Sequence, residues 1–226
     1  MFVDAGEVKV VVDPGDSARL GAASTPRPDP KLFKPVHLVK HLSKVGVRPK
    51  DVTHVVVTHL HFDHYAGVSV EKGGSWEPTF PSARHLIPLE DWNMPDIADA
   101  RKKGDKDVAT TLGVIERAGL VRLVKGRVEI CRGVTVEPFP GESPGHQILS
   151  VASGGKHCYC IGDLYHTVEE AVDPGFVATW TDRETLVASK KRFASRASRE
   201  RALVLAGHIG PGMVSVVSGK TLWEGA

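Results

Sequence analysis

The chain has little cysteine, no long apolar run and almost no charge imbalance, and each shortage removes a class of protein. Its three cysteines, Cys131, Cys158 and Cys160, are an odd number without the even, closely spaced framework of a secreted disulfide domain. Free thiols and a cytoplasmic setting are the expectation. No stretch approaches the roughly 18 apolar residues of a membrane span. The opening MFVDAGEVKVVVDPG carries acidic residues where a signal peptide places a basic segment and then an apolar core. With 29 Lys and Arg against 27 Asp and Glu, the formal charge is +2, too balanced for a general attraction to nucleic acid or anionic membrane. Neither a repeat nor a dividing linker appears, so residues 1–226 read as one domain. A chain of this length folds without disulfides or a structural metal, and any ligand cluster in it has to be explained by chemistry.

What is present reads as layered α/β. Val8 to Val12 is a β-branched run closed by Asp13-Pro14-Gly15, a buried strand ending in a turn. Residues 16–35 hold four prolines and form a long loop. Apolar spacing predicts a helix over 36–45, stopped at Gly46, and DVTHVVVT over 51–58 predicts a strand covered on both faces. Residues 84–88 read as a short strand, and 106–118 as a helix ending at Gly119. Short β segments follow at 121–124, 128–131, 134–137, 148–152 and 158–161. Thr181-Asp182-Arg183-Glu184 has the capping-box form before a helix running to about residue 202, with Leu186, Phe193 and Ala197 inward. A strand at 203–206 comes next.

Directly after the strand ending at Thr58 comes His59-Leu60-His61-Phe62-Asp63-His64. Alternate residues of an extended segment point the same way, so His59 and His61 converge on one metal, and as the chain turns Asp63 and His64 address a second. Imidazole and carboxylate suit zinc, with manganese, iron or cobalt as alternatives. Asp13, His146, Asp163 and His208 lie at strand ends or in the turns after them, the last three each preceded by glycine.

With these residues in order, the sequence resembles the metallo-β-lactamase fold superfamily over about residues 8–210. The resemblance implies an αββα sandwich and a dinuclear centre, with two zinc ions per chain. One zinc is held by His59, His61 and His146, the other by Asp63, His64 and His208; Asp163 bridges them and Asp13 braces the ligand loop. The segments WEPTFPSAR (76–84), PGESPGH (140–146) and GDLYH (162–166) resemble the branch with acyl-homoserine lactone lactonases and methyl parathion hydrolase. That branch hydrolyses lactones, aryl esters or phosphotriesters. The implied chemistry is attack by a hydroxide held between two ions about 3.5–4 Å apart. Asp63 and Asp163 are the carboxylates of that centre, and His166 or Tyr165 orients substrate or protonates the leaving group. A β-lactamase, a thioester hydrolase and a ribonuclease of the same fold are the alternatives.

Three departures qualify the resemblance. Lactonases of the branch often carry tyrosine three residues after the bridging aspartate, where this chain has His166. The branch often has histidine where Glu142 stands. Only 12 residues precede Asp13, so an edge of the first sheet is expected to be missing or supplied by a partner, as in a homodimer.

The remaining histidines and thiols read as packing or surface residues. His37 and His41 are four apart on a helix, but Leu38 stands where the HExxH glutamate would be. His54, His85 and His157 have no assembled partners in the sequence, and Cys158 and Cys160 share one strand face as small apolar residues. Lys190, Lys191, Arg192, Arg196, Arg199 and Arg201 make one helix basic, which reads as a solvated face. Substrate walls are expected from residues 16–34, 65–76 and 92–106, around a small-molecule ligand.

Overall fold

The computed structural model describes residues 1–15 and 38–226. The proposed loop at 16–35, its substrate wall and His37 lie outside those residues. The described chain gathers into two compact units, Met1–Ile87 with Trp92–Leu123, and Pro88–Asp91 with Val124–Ala226.

The first unit is built on a five-stranded sheet, in the order β1-β2-β3-β6-β7. Its strands are β1 (Phe2–Ala5), β2 (Val8–Val12), β3 (His54–Val56), β6 (Arg84–Pro88) and β7 (Val121–Val124). β1 folds back antiparallel on β2 as an edge strand that the sequence reading did not contain. β2, β3 and β6 run parallel, pairing Val12 with Val56 and Val56 with Leu86. Val10, Val11, Val12, Val55, Val56 and Val57 are fully buried, so these continuous β-branched runs are covered on both faces, as expected from the lack of alternation. The missed hairpin of β4 (Ser69–Lys72) and β5 (Ser75–Pro78) forms a separate two-stranded ribbon.

Helices of this unit include α1 (Leu38–Lys44), α2 (Phe62–Tyr65), α4 (Pro95–Lys103), α5 (Lys106–Ala109) and α6 (Leu112–Arg117), while α3 (Leu89–Trp92) falls, apart from Trp92, in the Pro88–Asp91 stretch of the second unit. The helix expected over 106–118 is broken in two at Thr110 and Thr111. The Thr111 hydroxyl bonds the Asp107 carbonyl, and the Ser69 hydroxyl bonds that of Thr110, so side chains compete for the carbonyls a continuous helix would use. Val11, Val55, Val57, Phe80, Ile87, Leu112 and Ile115 share one apolar core.

The second unit carries a seven-stranded sheet in the order β14-β13-β12-β11-β10-β9-β8. These are β8 (Val128–Cys131), β9 (Val134–Pro138), β10 (Gln147–Ser153), β11 (Lys156–Cys160), β12 (Leu203–Ala206), β13 (Gly210–Val217) and β14 (Lys220–Gly225). Only β11 and β12 pair in parallel among the registered neighbours. The crossover between them carries α7 (Val168–Val172) and α8 (Arg183–Glu200). Leu186, Phe193 and Ala197 are fully buried on α8, as their spacing predicts, and join Ile148, Tyr159, Tyr165 and Val204 in a second core. The cap of α8 sits one residue later than the capping-box reading: Asp182 is the N-cap and accepts the Thr185 N–H at 3.1 Å. Mixed sheets with helices fit the expected α/β class. No helix among the described residues is long and apolar enough to cross a membrane.

Candidate metal centre

In the first unit the site is built at the carboxyl ends of parallel strands, where an α/β sheet presents its loops. The Asp13 N–H bonds the Val56 carbonyl at 2.9 Å, which carries β2 and β3 to the same end. Asp13 then turns through φ +48°, a left-handed conformation that aspartate tolerates better than most side chains. From there its carboxylate accepts the Thr58 N–H at 2.8 Å and the Thr58 hydroxyl at 2.8 Å, and lies 3.0 Å from His64 Nδ1. The expectation for Asp13 was bracing of the ligand loop, and these are the contacts such a brace makes.

The hexad after β3 brings four donor side chains together. His59 is fully buried, and its Nε2 lies 2.9 Å from Nδ1 of His61. Its Nδ1 lies 3.2 Å from the Thr58 hydroxyl. Since that hydroxyl gives its proton to Asp13, the ring nitrogen is the donor, leaving the Nε2 lone pair on the His61 side. The chain then turns at α2, where Asp63 is half-exposed and His64 buried, with Oδ2 and Nε2 3.5 Å apart. Asp13 holds His64 by Nδ1, so the lone pair of His64 is also on Nε2. Outer carboxylates that fix imidazole tautomers in this way are the usual support of metal ligands. The His59 ring packs 4.4 Å from His61 and 4.1 Å from His64, centroid to centroid.

The second unit positions its candidates from three strand ends. His146 precedes β10, is fully buried, and has Nδ1 2.9 Å from the Phe139 carbonyl, which again leaves Nε2 as the lone-pair nitrogen. That Nε2 accepts the Asp163 N–H at 3.3 Å. The loop before His146 is pinned by Asp91, whose carboxylate accepts the Ser143 hydroxyl at 2.7 Å and the Gly145 N–H at 2.6 Å. A side chain on Gly145 would sit 2.7 Å from Asp91 Oδ1, so the glycine is required by close approach. After β11, Gly162 takes φ +50° and turns Asp163 inward to 2% exposure. The Gly207 N–H bonds the Gly162 carbonyl at 3.0 Å, and His208 Nε2 reaches Asp163 Oδ2 at 3.1 Å.

Two residues read from the sequence as departures also meet here. Nε2 of His166 lies 3.4 Å from Asp163 Oδ2 and 3.6 Å from Glu142 Oε1. Donor oxygens of Glu142 and Asp163 come within 4.8 Å, so Glu142 belongs beside Asp163. The sequence alone marks Glu142 only as a departure from the branch. Burial alone would lower the His166 pKa, but bonds to Asp163, Glu142 and Glu170 push it up to about 12. Tyr165 is placed differently: fully buried in the second core, with its hydroxyl 3.5 Å from the Lys190 carbonyl and its pKa raised by burial. His166 is therefore the one of the two that stands beside Asp163.

The residues set aside behave as packing. His54 Nδ1 bonds the Thr53 hydroxyl, His157 lies 3.6 Å from Glu200, and His85 is fully buried on the Ala83 carbonyl. Cys131, Cys158 and Cys160 are free thiols. Lys190 is a correction: it is fully buried and bonds Glu170 at 2.6 Å, because α8 turns it toward α7 instead of solvent.

The donors fit a divalent cation. Buried imidazoles with Nδ1 committed to oxygen, beside carboxylates, form a set suited to zinc and its neighbours.

Comparison with known proteins points the same way. Residues 1–208 match the family described as the metallo-beta-lactamase superfamily. An N-acyl homoserine lactonase of Bacillus cereus is 26% identical over 181 residues, covering 79% of this chain and 64% of its own length. N-acyl homoserine lactonase AttM of Rhizobium radiobacter is 28% identical over 193 residues, covering 79% and 66%. The chain thus spans somewhat under two thirds of these curated relatives. Among solved structures, the hydrolase AbOPH in the beta lactamase superfamily superposes with a TM-score of 0.77 at 20% identity, over 100% of this chain and 78% of that one. AidC, a dizinc quorum-quenching lactonase solved with a product, superposes at 0.73 with 21% identity and the same coverage.

Proposed function

The chain belongs to the metallo-beta-lactamase superfamily, and on that premise we propose that it is a metal-dependent hydrolase of small ester-type substrates, lactones first, then aryl esters and phosphotriesters. The observation that carries this reading is the donor arrangement after β3, where Asp13 and Thr58 commit the Nδ1 atoms of His64 and His59 and so turn Nε2 of each toward the other candidate donors, Asp63 and His61. The preference for lactones is supported by the two curated relatives described above, both named as N-acyl homoserine lactonases.

In this reading His59, His61 and His146 hold one zinc, Asp63, His64 and His208 hold the other, and Asp163 serves both; manganese, iron or cobalt would suit the same donors. When bound, such ions supply an activated water at neutral pH and polarise the ester oxygen. The chain's own part is to keep donors in register and to meet the substrate. Asp13 and Thr58 hold the first group of rings, Asp91 holds the loop of His146, and His166 hydrogen-bonds the substrate or its leaving group. No side-chain nucleophile is needed in this reading. A small-molecule substrate and a cytoplasmic setting complete the proposal.

The test is proton release by the zinc-loaded protein against acyl-homoserine lactones, aryl esters and phosphotriesters, with Asp163→Asn as control and metal content measured on both. Turnover that needs Asp163 and two metals per chain supports the reading. A silent panel with two bound metals overturns the small-ester claim and moves thioesters, β-lactams and RNA forward.

A further inference from the structure

One buried ion pair in the second unit has no evident purpose as a stabiliser. Lys190 is fully buried on α8, its Nζ 2.6 Å from Glu170 Oε2 and 3.0 Å from the Phe176 carbonyl. Glu170, on α7, is 3% exposed. Taking two charges out of water costs several kcal/mol per ion in general, and apolar residues of the same size often stabilise a protein as well or better. The pair is better explained by what it holds. The second oxygen of Glu170, Oε1, lies 3.2 Å from His166 Nδ1.

At Nε2 the His166 ring meets Asp163 and Glu142, which favour the same orientation that Glu170 favours at Nδ1, while the neighbouring aromatic rings limit only its tilt. It stacks on His208 with centroids 5.7 Å apart and planes 23° apart, and meets Trp180 edge-on at 5.8 Å. Trp180 is itself tied by its Nε1 to Glu142 Oε1 at 2.9 Å. A half-turn of an imidazole about its last bond keeps its shape but exchanges Nδ1 for carbon, and Nε2 for carbon as well. Stacking resists tilting of the ring and is nearly indifferent to that flip. A hydrogen-bond partner at Nδ1 is not indifferent, and Glu170 is that partner.

We propose that Glu170, fixed by the buried Lys190, is the positioning residue for His166, holding Nδ1 so that Nε2 stays aimed at Asp163 and Glu142. Its effect on turnover rests on the proposed hydrolase function; its effect on the ring does not. The two positions that depart from the lactonase pattern, Glu142 and His166, are thereby joined in one assembly with Trp180, Glu170 and Lys190.

The experiment combines kinetics with nitrogen-resolved NMR of the His166 ring in the full-length, metal-loaded chain. Glu170→Ala is expected to lower kcat by about 10- to 100-fold with KM nearly unchanged and metal content intact, the usual scale for an outer-shell partner. The Nδ1–H signal of His166 should be lost or exchange-broadened. In the double variant with His166→Ala, the Glu170 change should add nothing, because a residue acting through His166 has nothing left to act on. Since Glu170→Ala leaves a buried lysine alone, the companion Glu170→Leu/Lys190→Met replaces the pair by apolar side chains and is expected to fold and show the same kcat loss. An unchanged Nδ1–H signal in either variant, or additive losses in the double variant, overturns the positioning role. If the wild-type chain hydrolyses nothing in the panel, the functional proposal falls and the NMR result alone decides the role of Glu170.

Discussion

The two units supply candidate ligands in different ways. In the first, four donors come from one hexad, and the braces Asp13 and Thr58 sit on the ends of adjacent parallel strands. In the second, His146, Asp163 and His208 come from three separated strand ends. Each depends on partners remote in sequence: Asp91 acts across 54 residues on Gly145, and Asp163 across 45 on His208. A contiguous motif on a strand end brings its donors together by local geometry, even though its brace Asp13 reaches Thr58 across 45 residues and His64 across 51. A distributed one needs the sheet register to be right before its donors meet at all.

That contrast can be attacked at several points. The largest expected effect is on the shared carboxylate. Asp163→Asn should remove several kcal/mol of transition-state stabilisation, about a thousandfold or more in kcat/KM, and lower the metal content; near-normal turnover with full metal would break the proposed division of ligands.

Acid should act next on the first unit through His85, which is fully buried. Burial pushes His85 down to about 4 from its ordinary 6.5. The unfolded chain therefore binds a proton more readily than the fold between these values. The His85 contribution is fully present above pH 6.5 and is lost as pH falls from 6.5 to 4, to the extent of about 3 kcal/mol. Urea unfolding of wild type and His85→Leu at both pH values measures it, and an equal loss in both proteins would refute the assignment.

A smaller effect is expected at the brace of the hexad. Asp13→Ala should weaken metal binding about 10- to 100-fold, read by competition with a chelating dye, and leave Asp163-dependent features of the second unit unchanged. The smallest is in the pinned loop. Ser143→Ala removes one of the Asp91 bonds while Gly145 N–H keeps the other, so unfolding should show a loss of about 1 kcal/mol; a drop several times larger would mean the hydroxyl, not the glycine N–H, carries the loop.

Much of the fold could be read in advance. β2, β6, β7, β8 and β12 appear where apolar runs and turn residues placed them, and the inward face of α8 follows its 3.6-residue spacing. The elements that were missed have weak local signals. β1 and the β4–β5 hairpin are short and largely exposed, β13 carries two glycines and a proline, and α4 is mostly charged. The split between α5 and α6 depends on Ser69, a residue 41 positions away, which no local window contains.

The site divides in the same way. The chain's order of residues determined the candidate ligands, because HxHxDH after a β-branched run and the His or Asp that follow glycine at strand ends are properties of neighbouring residues. It also marked Asp13 as a strand-end candidate, whose bracing role came from the family resemblance; the parallel pairing of β2 and β3 that carries it to Thr58 is a finding of the structure. Only the tertiary structure decided that His166 stands beside Asp163 while Tyr165 enters the core, that Glu142 joins them, and that Lys190 turns inward to Glu170. Two of those meetings, Glu142 with His166 and Lys190 with Glu170, span 20 residues or more. Burial makes each such meeting costly unless a polar partner is there, and a partner's position is a property of the packed sheet and helices, not of the chain alone.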